Sequence, residues 1–222
     1  MQNLLIFGDS IIKGVMYNGQ GYHLCQGHDF DRLAAQGIRV KNHAKMGATI
    51  SDGQKRLACR LAEPCTPQTT VLFCFGGNDS DYDWRAIAAD PAAEHLPKTP
   101  PEAFIDGYCA LIRAAQQAGA RVALTSLPPI EPTRFFLHIS KGLRADDILH
   151  WLGDVGHLYR WQEYYSSLVV QLSRAFGCRL ADVRTEFLKS RAFDTLLGAD
   201  GIHPTQAGHD LIHATVQSAL CF

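Results

Sequence analysis

The apolar positions along the chain fall into two kinds of pattern. Short, nearly continuous runs of strand length occur at residues 3–7, 38–42, 70–75, 121–126 and 178–182, each closing on small or polar residues. Between them, apolar residues recur at three- and four-residue steps, the spacing of one helix face. Over 104–118 the recurring positions are Phe104, Tyr108, Leu111, Ile112 and Ala115, and over 161–176 they are Trp161, Tyr164, Tyr165, Leu168, Val169, Leu172 and Phe176. Gly119 and Gly177 follow as helix stops. Strands that read as unbroken apolar runs and alternate with helices predict a parallel sheet covered on both faces. The expected fold is α/β, a three-layer α/β/α sandwich with a five-stranded parallel sheet in the flavodoxin-like order 2-1-3-4-5. A ligand of such a sheet sits beyond the carboxyl ends of the strands, where the strand order reverses.

The residues just after the strands therefore carry the functional question. Gly8-Asp9-Ser10 follows the first run and leads into a helix expected over Ile11, Ile12 and Val15. Asp and Ser there also suit an ordinary helix N-cap. Asn42 and then Met46-Gly47-Ala48-Thr49 follow the second run; a glycine before a helix lets a backbone N–H come close to a ligand. Gly76-Gly77-Asn78-Asp79 follows the third, and the Asn78 amide can donate two hydrogen bonds, although an Asx-turn explains the same residues. Near the C-terminus stands Asp200-Gly201-Ile202-His203-Pro204. An Asp three residues before a His can accept from Nδ1–H and leave Nε2 as a base, while Pro204 keeps His203 out of the following helix. Neighbouring strands lie about 4.8 Å apart, so the predicted order gathers Gly47, Ser10 and Asn78 on one patch roughly 10 Å wide. Two backbone N–H groups and an amide there suit an oxyanion, and Asp200 with His203 supplies the base that a nucleophilic Ser10 needs.

With these blocks in this order, the sequence resembles the SGNH, or GDSL-type, hydrolases of the esterase and lipase kind. The resemblance rests on Gly8-Asp9-Ser10, Gly47, Gly76-Gly77-Asn78-Asp79 and Asp200-x-x-His203-Pro204, and spans nearly the whole chain. It implies Ser10 as nucleophile, His203 as base and Asp200 as its orienting acid. It further implies an oxyanion hole of Ser10 N–H, Gly47 N–H and Asn78. The implied activity is hydrolysis of a carboxylic ester through an acyl-enzyme, the substrate an acetylated sugar or short acyl ester. The alternatives are a thioesterase or lysophospholipase of the same family, or a non-catalytic flavodoxin-like binding module. The G-x-S-x-G elbow of the larger α/β-hydrolases is absent from these blocks.

Composition narrows the picture by exclusion. Lys+Arg 21 against Asp+Glu 22 gives a net charge of −1, which argues against a nucleic-acid or anionic-membrane partner held by bulk electrostatics. The apolar run in MQNLLIFGDS is too short for a signal-peptide core or a membrane span. Cys25, Cys59, Cys65, Cys74, Cys109, Cys178 and Cys221 are odd in number and form no C-x-x-C pair. Free thiols in a cytoplasmic setting are expected. One domain is expected over 1–222, with a helical, aromatic-rich insertion at about 131–165 that carries Phe135, Phe136, Trp151, Tyr159, Trp161, Tyr164 and Tyr165. That insertion is either a wall for the acyl group or packing for its own helices. Trp84, in a second candidate wall at 79–98, could border the same pocket. His209-x-x-x-His213 has metal-ligand spacing, but the sequence positions no third ligand, so neither a metal nor a cofactor is expected. The expected partner is a small-molecule ester.

Overall fold

The computed structural model describes residues 2–28, 30–61 and 65–220. In chain order its elements are β1 (Asn3–Gly8), α1 (Ser10–Lys13), β2 (Val15–Tyr17), β3 (Tyr22–Leu24), α2 (Asp31–Ala35), β4 (Arg39–Asn42), α3 (Ile50–Arg60) and β5 (Thr69–Cys74). Then come α4 (Trp84–Ala89), α5 (Pro101–Gln117), β6 (Arg121–Thr125), α6 (Pro132–Ile139), α7 (Ala145–Leu152) and α8 (Gly156–Ala175). The chain closes with β7 (Arg179–Ala181), α9 (Val183–Lys189), α10 (Phe193–Leu196) and α11 (Gln206–Leu220).

Five strands form one sheet in the order β4-β1-β5-β6-β7, and every neighbouring pair is parallel. Counted among themselves these strands run 2-1-3-4-5, as the pattern of apolar runs predicts. Because side chains alternate across a strand, the inner strands feed two cores. Leu5, Phe7, Val71 and Phe73 pack against α3, α5 and α8 through residues such as Leu57, Phe104 and Tyr165. Leu4, Ile6, Leu72 and Cys74 pack against the other layer through Ile12, Phe187, Ile212 and Val216. Both faces of β1, β5 and β6 are dry, which is why these strands read as nearly unbroken hydrophobic runs, whereas the edge strands β4 and β7 are partly exposed.

Two elements depart from the sequence reading. The helix expected through Val15 stops after one turn, because Gly14 adopts a left-handed conformation (φ 87°) and closes it. Val15 instead opens β2, which pairs antiparallel with β3 in a two-stranded ribbon outside the main sheet. Tyr22 and Leu24 of that ribbon are exposed, so no buried face announced it in the sequence.

Downstream of β6 the chain runs through α6, α7 and the first turns of α8. With α4 these build a third cluster of Tyr82, Trp84, Ile130, Ile148, Leu152 and Leu158. Cys25, Cys59, Cys65, Cys74, Cys109 and Cys178 are free thiols, while Cys221 lies outside the described residues. Among the described residues no helix is long and apolar enough to cross a membrane.

Candidate active site

Ser10 is placed by what happens at the end of β1. Asp9 donates its N–H to Cys74 O of β5 (3.2 Å) and caps α1, its Oδ1 accepting from Ile11 N–H at 2.9 Å. The next residue, Ser10, is then the first of the helix, with a backbone N–H that has no acceptor inside it. Its side chain is buried at the carboxyl edge of the sheet.

The loop before α11 brings the other two groups. Asp200 Oδ1 accepts the N–H groups of Ile202 (3.2 Å) and His203 (3.0 Å), so the carboxylate is held by the backbone of its own turn. Its Oδ2 meets His203 Nδ1 at 2.6 Å, and His203 Nε2 meets Ser10 Oγ at 2.9 Å. Asp200 is fully buried and His203 nearly so. Burial alone would raise the Asp200 carboxyl. The hydrogen bond and charge of His203, with the two backbone donors, outweigh it and hold the pKa below the ordinary carboxylate value. A Cβ on Gly201 (φ 75°) would lie 2.5 Å from Glu131 O and 2.7 Å from Phe135 N. Only glycine allows the loop of Asp200 and His203 to lie that close to the start of α6.

Asn78 lines the cleft on the loop after β5, and Gly47 stands on the neighbouring loop after β4. Asn78 Nδ2 donates to Ala48 O at 3.1 Å, tying the loop after β5 to the loop after β4 and leaving its second amide hydrogen uncommitted. Residues 45–48 form a turn closed by Ala48 N–H on Lys45 O (3.1 Å), in which Gly47 takes φ 75°. Its own N–H is outside that turn bond. Ser10, Asn78 and His203 share one cleft; Gly47 does not line it, but is one residue from the carbonyl that Asn78 grips.

Two further carboxyls lie beneath. Asp79 is fully buried and takes Ile50 N–H (2.9 Å) and Thr99 Oγ–H (2.7 Å) on its Oδ1. Burial still raises its pKa. Burial likewise pushes Asp9 up to about 7, with the charge of Asp79 adding to the rise. Asp9 and Asp79 thus anchor the loops on which Ser10 and Asn78 stand.

The cleft over Ser10 has a volume of about 120 Å³, and its outer wall is apolar: Tyr82, Trp84, Ile130, Phe135, Leu152 and Trp161. The two indoles are fixed by hydrogen bonds, Trp84 Nε1–H to Asp81 Oδ1 (2.8 Å) and Trp161 Nε1–H to Ser80 O (2.9 Å). The aromatic segment therefore contributes both wall and packing. Trp151 lies behind the wall, its ring 4.9 Å from that of Tyr82, and Tyr159 faces the guanidinium of Arg184.

Sequence reasoning missed two contributors. Arg134 donates to Leu197 O (3.0 Å), Gly198 O (3.2 Å) and Asp194 O (3.2 Å), bracing the loop that carries Asp200. Its partners are backbone carbonyls, which leave no signature in a sequence. Tyr22 of the ribbon sets its ring edge-on to the His203 imidazole at 5.2 Å, a contact hidden with the hairpin itself.

A doubly covered parallel sheet, with a serine, a histidine and an aspartate hydrogen-bonded in series at its carboxyl edge beside an apolar cleft, defines the class: a hydrolase of ester bonds. The chain belongs to the GDSL-like lipase/acylhydrolase family, whose profile matches residues 6–211. No curated protein matches it. Among solved structures it is similar to TesA (23% identity, TM-score 0.64, 99% of this chain and 98% of that one). It is similar also to an acetyl xylan esterase, Axe2, from Geobacillus stearothermophilus (18%, TM-score 0.67, 100% and 95%). A third likeness is to the psychrotrophic esterase EstA from Pseudoalteromonas sp. (19%, TM-score 0.62, 100% and 97%). At these identities the likeness is one of fold.

Proposed function

We propose that the chain is a serine esterase that cleaves a carboxylic ester through an acyl-enzyme, with Ser10 as nucleophile, His203 as general base and Asp200 as the acid that orients it. The observation that carries this reading is the continuous path from Asp200 Oδ2 through His203 to Ser10 Oγ, 2.6 Å and 2.9 Å at its two steps. The carboxylate fixes the tautomer with the proton on Nδ1, so Nε2 accepts from the serine hydroxyl. Oγ attacks the ester carbonyl as its proton passes to Nε2. The carbonyl oxygen gains the negative charge, and Ser10 N–H, Gly47 N–H and the free Asn78 hydrogen are the donors assigned to stabilise it, Gly47 coming in from the neighbouring loop. His203 then protonates the leaving alcohol. Water repeats the sequence on the acyl-enzyme and returns Ser10.

The apolar wall supports a short, uncharged acyl group as the part held in the cleft. Acetylated sugars and short acyl esters both meet that description.

Purified wild type should label stoichiometrically with a fluorophosphonate, and hydrolyse p-nitrophenyl esters of short acids. Ser10→Ala should lose the label and lower kcat on the order of 10⁴-fold or more, with an unfolding midpoint close to wild type. Wild-type turnover in Ser10→Ala would end the assignment.

A further inference from the structure

Between the ribbon and α11, three side chains from distant parts of the chain converge. Cys25 follows β3, and His209 and His213 stand one turn apart on α11. One ligand atom from each lies within 4.8 Å of the others. Cys25 and His209 are buried, and His209 has no exposed surface. Burial favours its neutral ring. His209 Nε2 lies 3.0 Å from Val15 O, and a carbonyl only accepts, so Nε2 carries the proton. The lone pair of His209 is therefore on Nδ1, and that atom is buried without a hydrogen-bond partner. An imidazole oriented by a backbone carbonyl on one nitrogen, with the other nitrogen bare, is the arrangement of a metal-ligating histidine and its outer partner.

We propose that Cys25, His209 and His213 form a zinc site. The donor set of one thiolate and two imidazoles suits Zn²⁺ among the common divalent ions. Zinc–sulfur and zinc–nitrogen bonds of about 2.3 and 2.0–2.1 Å place tetrahedral ligand atoms about 3.3–3.8 Å apart. The three groups thus close on the ion by roughly 1 Å, a shift within the reach of side-chain torsions. His213 also lines a surface hollow with Gln26, Asp210 and Gln217, which gives the ion a way in and a water for the fourth position. Uptake releases the Cys25 thiol proton to solvent and forms the zinc–sulfur bond.

The place of the site gives it a use. The ribbon already touches α11 through Gln26 N–H on Gln206 Oε1 (2.8 Å) and Gln206 Nε2–H on Gln26 O (3.2 Å). An ion shared by Cys25 and α11 fastens the ribbon there, and with it Tyr22 against the His203 ring. The role is structural, so it stands or falls apart from the identity of the nucleophile.

The test uses the untagged full chain, stripped with a chelator and then titrated with Zn²⁺ or Co²⁺. One equivalent of either ion is expected to bind, and Zn²⁺ in excess should raise the melting temperature by about 5 °C or more. Co²⁺ should give a sulfur-to-metal charge-transfer band that Cys25→Ser abolishes and Cys59→Ser, at an exposed thiol, leaves in place. His213→Gln should weaken Zn²⁺ binding by at least the about 10–100-fold seen when an outer partner of a ligand is lost. Failure of folded wild type to take up one equivalent, or a charge-transfer band that survives in Cys25→Ser, would overturn the proposal.

Discussion

Asn78 has two amide hydrogens and only one is committed, to Ala48 O. Asn78→Ala removes both the loop tie and the proposed oxyanion donor, and should lower kcat about 10²–10³-fold, or roughly 2.7–4 kcal/mol. KM should move far less; a steady-state comparison on one p-nitrophenyl ester separates the two. Asp9 gives a prediction of another kind. Its folded pKa of about 7 stands above the ordinary value of 3.8, so from about pH 4 to 7 the unfolded chain ionises while the folded one keeps its proton. Stability should fall as pH rises across that window, by up to about 1.4 kcal/mol per unit, and level off above it. Asp200 has the opposite sign: its folded pKa lies below 3.8, so its contribution is lost only as pH falls beneath that window. Denaturant titrations at several pH values should therefore show a smaller fall in Asp9→Asn than in wild type.

Among the elements, the catalytic loop owes its shape to its neighbours as much as to its sequence. Glu131 N–H donates to Gly201 O at 2.8 Å, and Arg134 covers three carbonyls at or before the loop. Arg134→Ala should leave the triad residues intact yet loosen their placement, lowering kcat by about 10–10²-fold with little change in KM. The Arg134→Lys variant, with one ammonium in place of the fork, should recover only part of the loss. At this scale the inner strands β1, β5 and β6 were legible because burial on both faces writes a nearly unbroken apolar run, while the partly exposed edge strands β4 and β7 carry a shorter signal. The long helices were legible for a similar reason, although α5 begins at Pro101 and α8 at Gly156, earlier than their apolar stripes suggest. The ribbon was not, since Tyr22, His23 and Leu24 all face solvent. That the loops carrying Ser10, Gly47 and Asn78 gather at one edge of the sheet was legible, because the order of the parallel strands sends them there. The bracing Arg134 was not, as any surface arginine reads the same.

For the molecule as a whole, the third hydrophobic cluster supplies the apolar wall of the cleft. Trp84 and Phe135 of that wall meet edge to face at 6.4 Å, one from α4 and one from α6. Truncating either to Ala opens the wall without touching Ser10. Trp84→Ala should shift the preference across a p-nitrophenyl ester series toward longer acyl chains, read as a several-fold change in the ratio of kcat/KM values. An unchanged ratio would mean that the acyl group lies elsewhere and the cluster serves only to pack the added helices. The two readings of the aromatic segment could not be separated in the sequence, because a residue that lines a pocket and one that fills a core share the same hydrophobic signature. The meeting of Cys25 with α11 was invisible for a different cause: close to two hundred residues intervene, and no periodicity spans them.

The hydrogen bond between His203 and Ser10 joins residues 193 positions apart, whereas Asp200 and His203 find each other within a single turn. Half of the machinery can assemble as soon as its segment is made, and the other half waits for opposite ends of the polypeptide to come together across a finished sheet. Recovery of esterase activity after dilution from denaturant thus times the last long-distance closure, and should lag behind the return of helical circular dichroism.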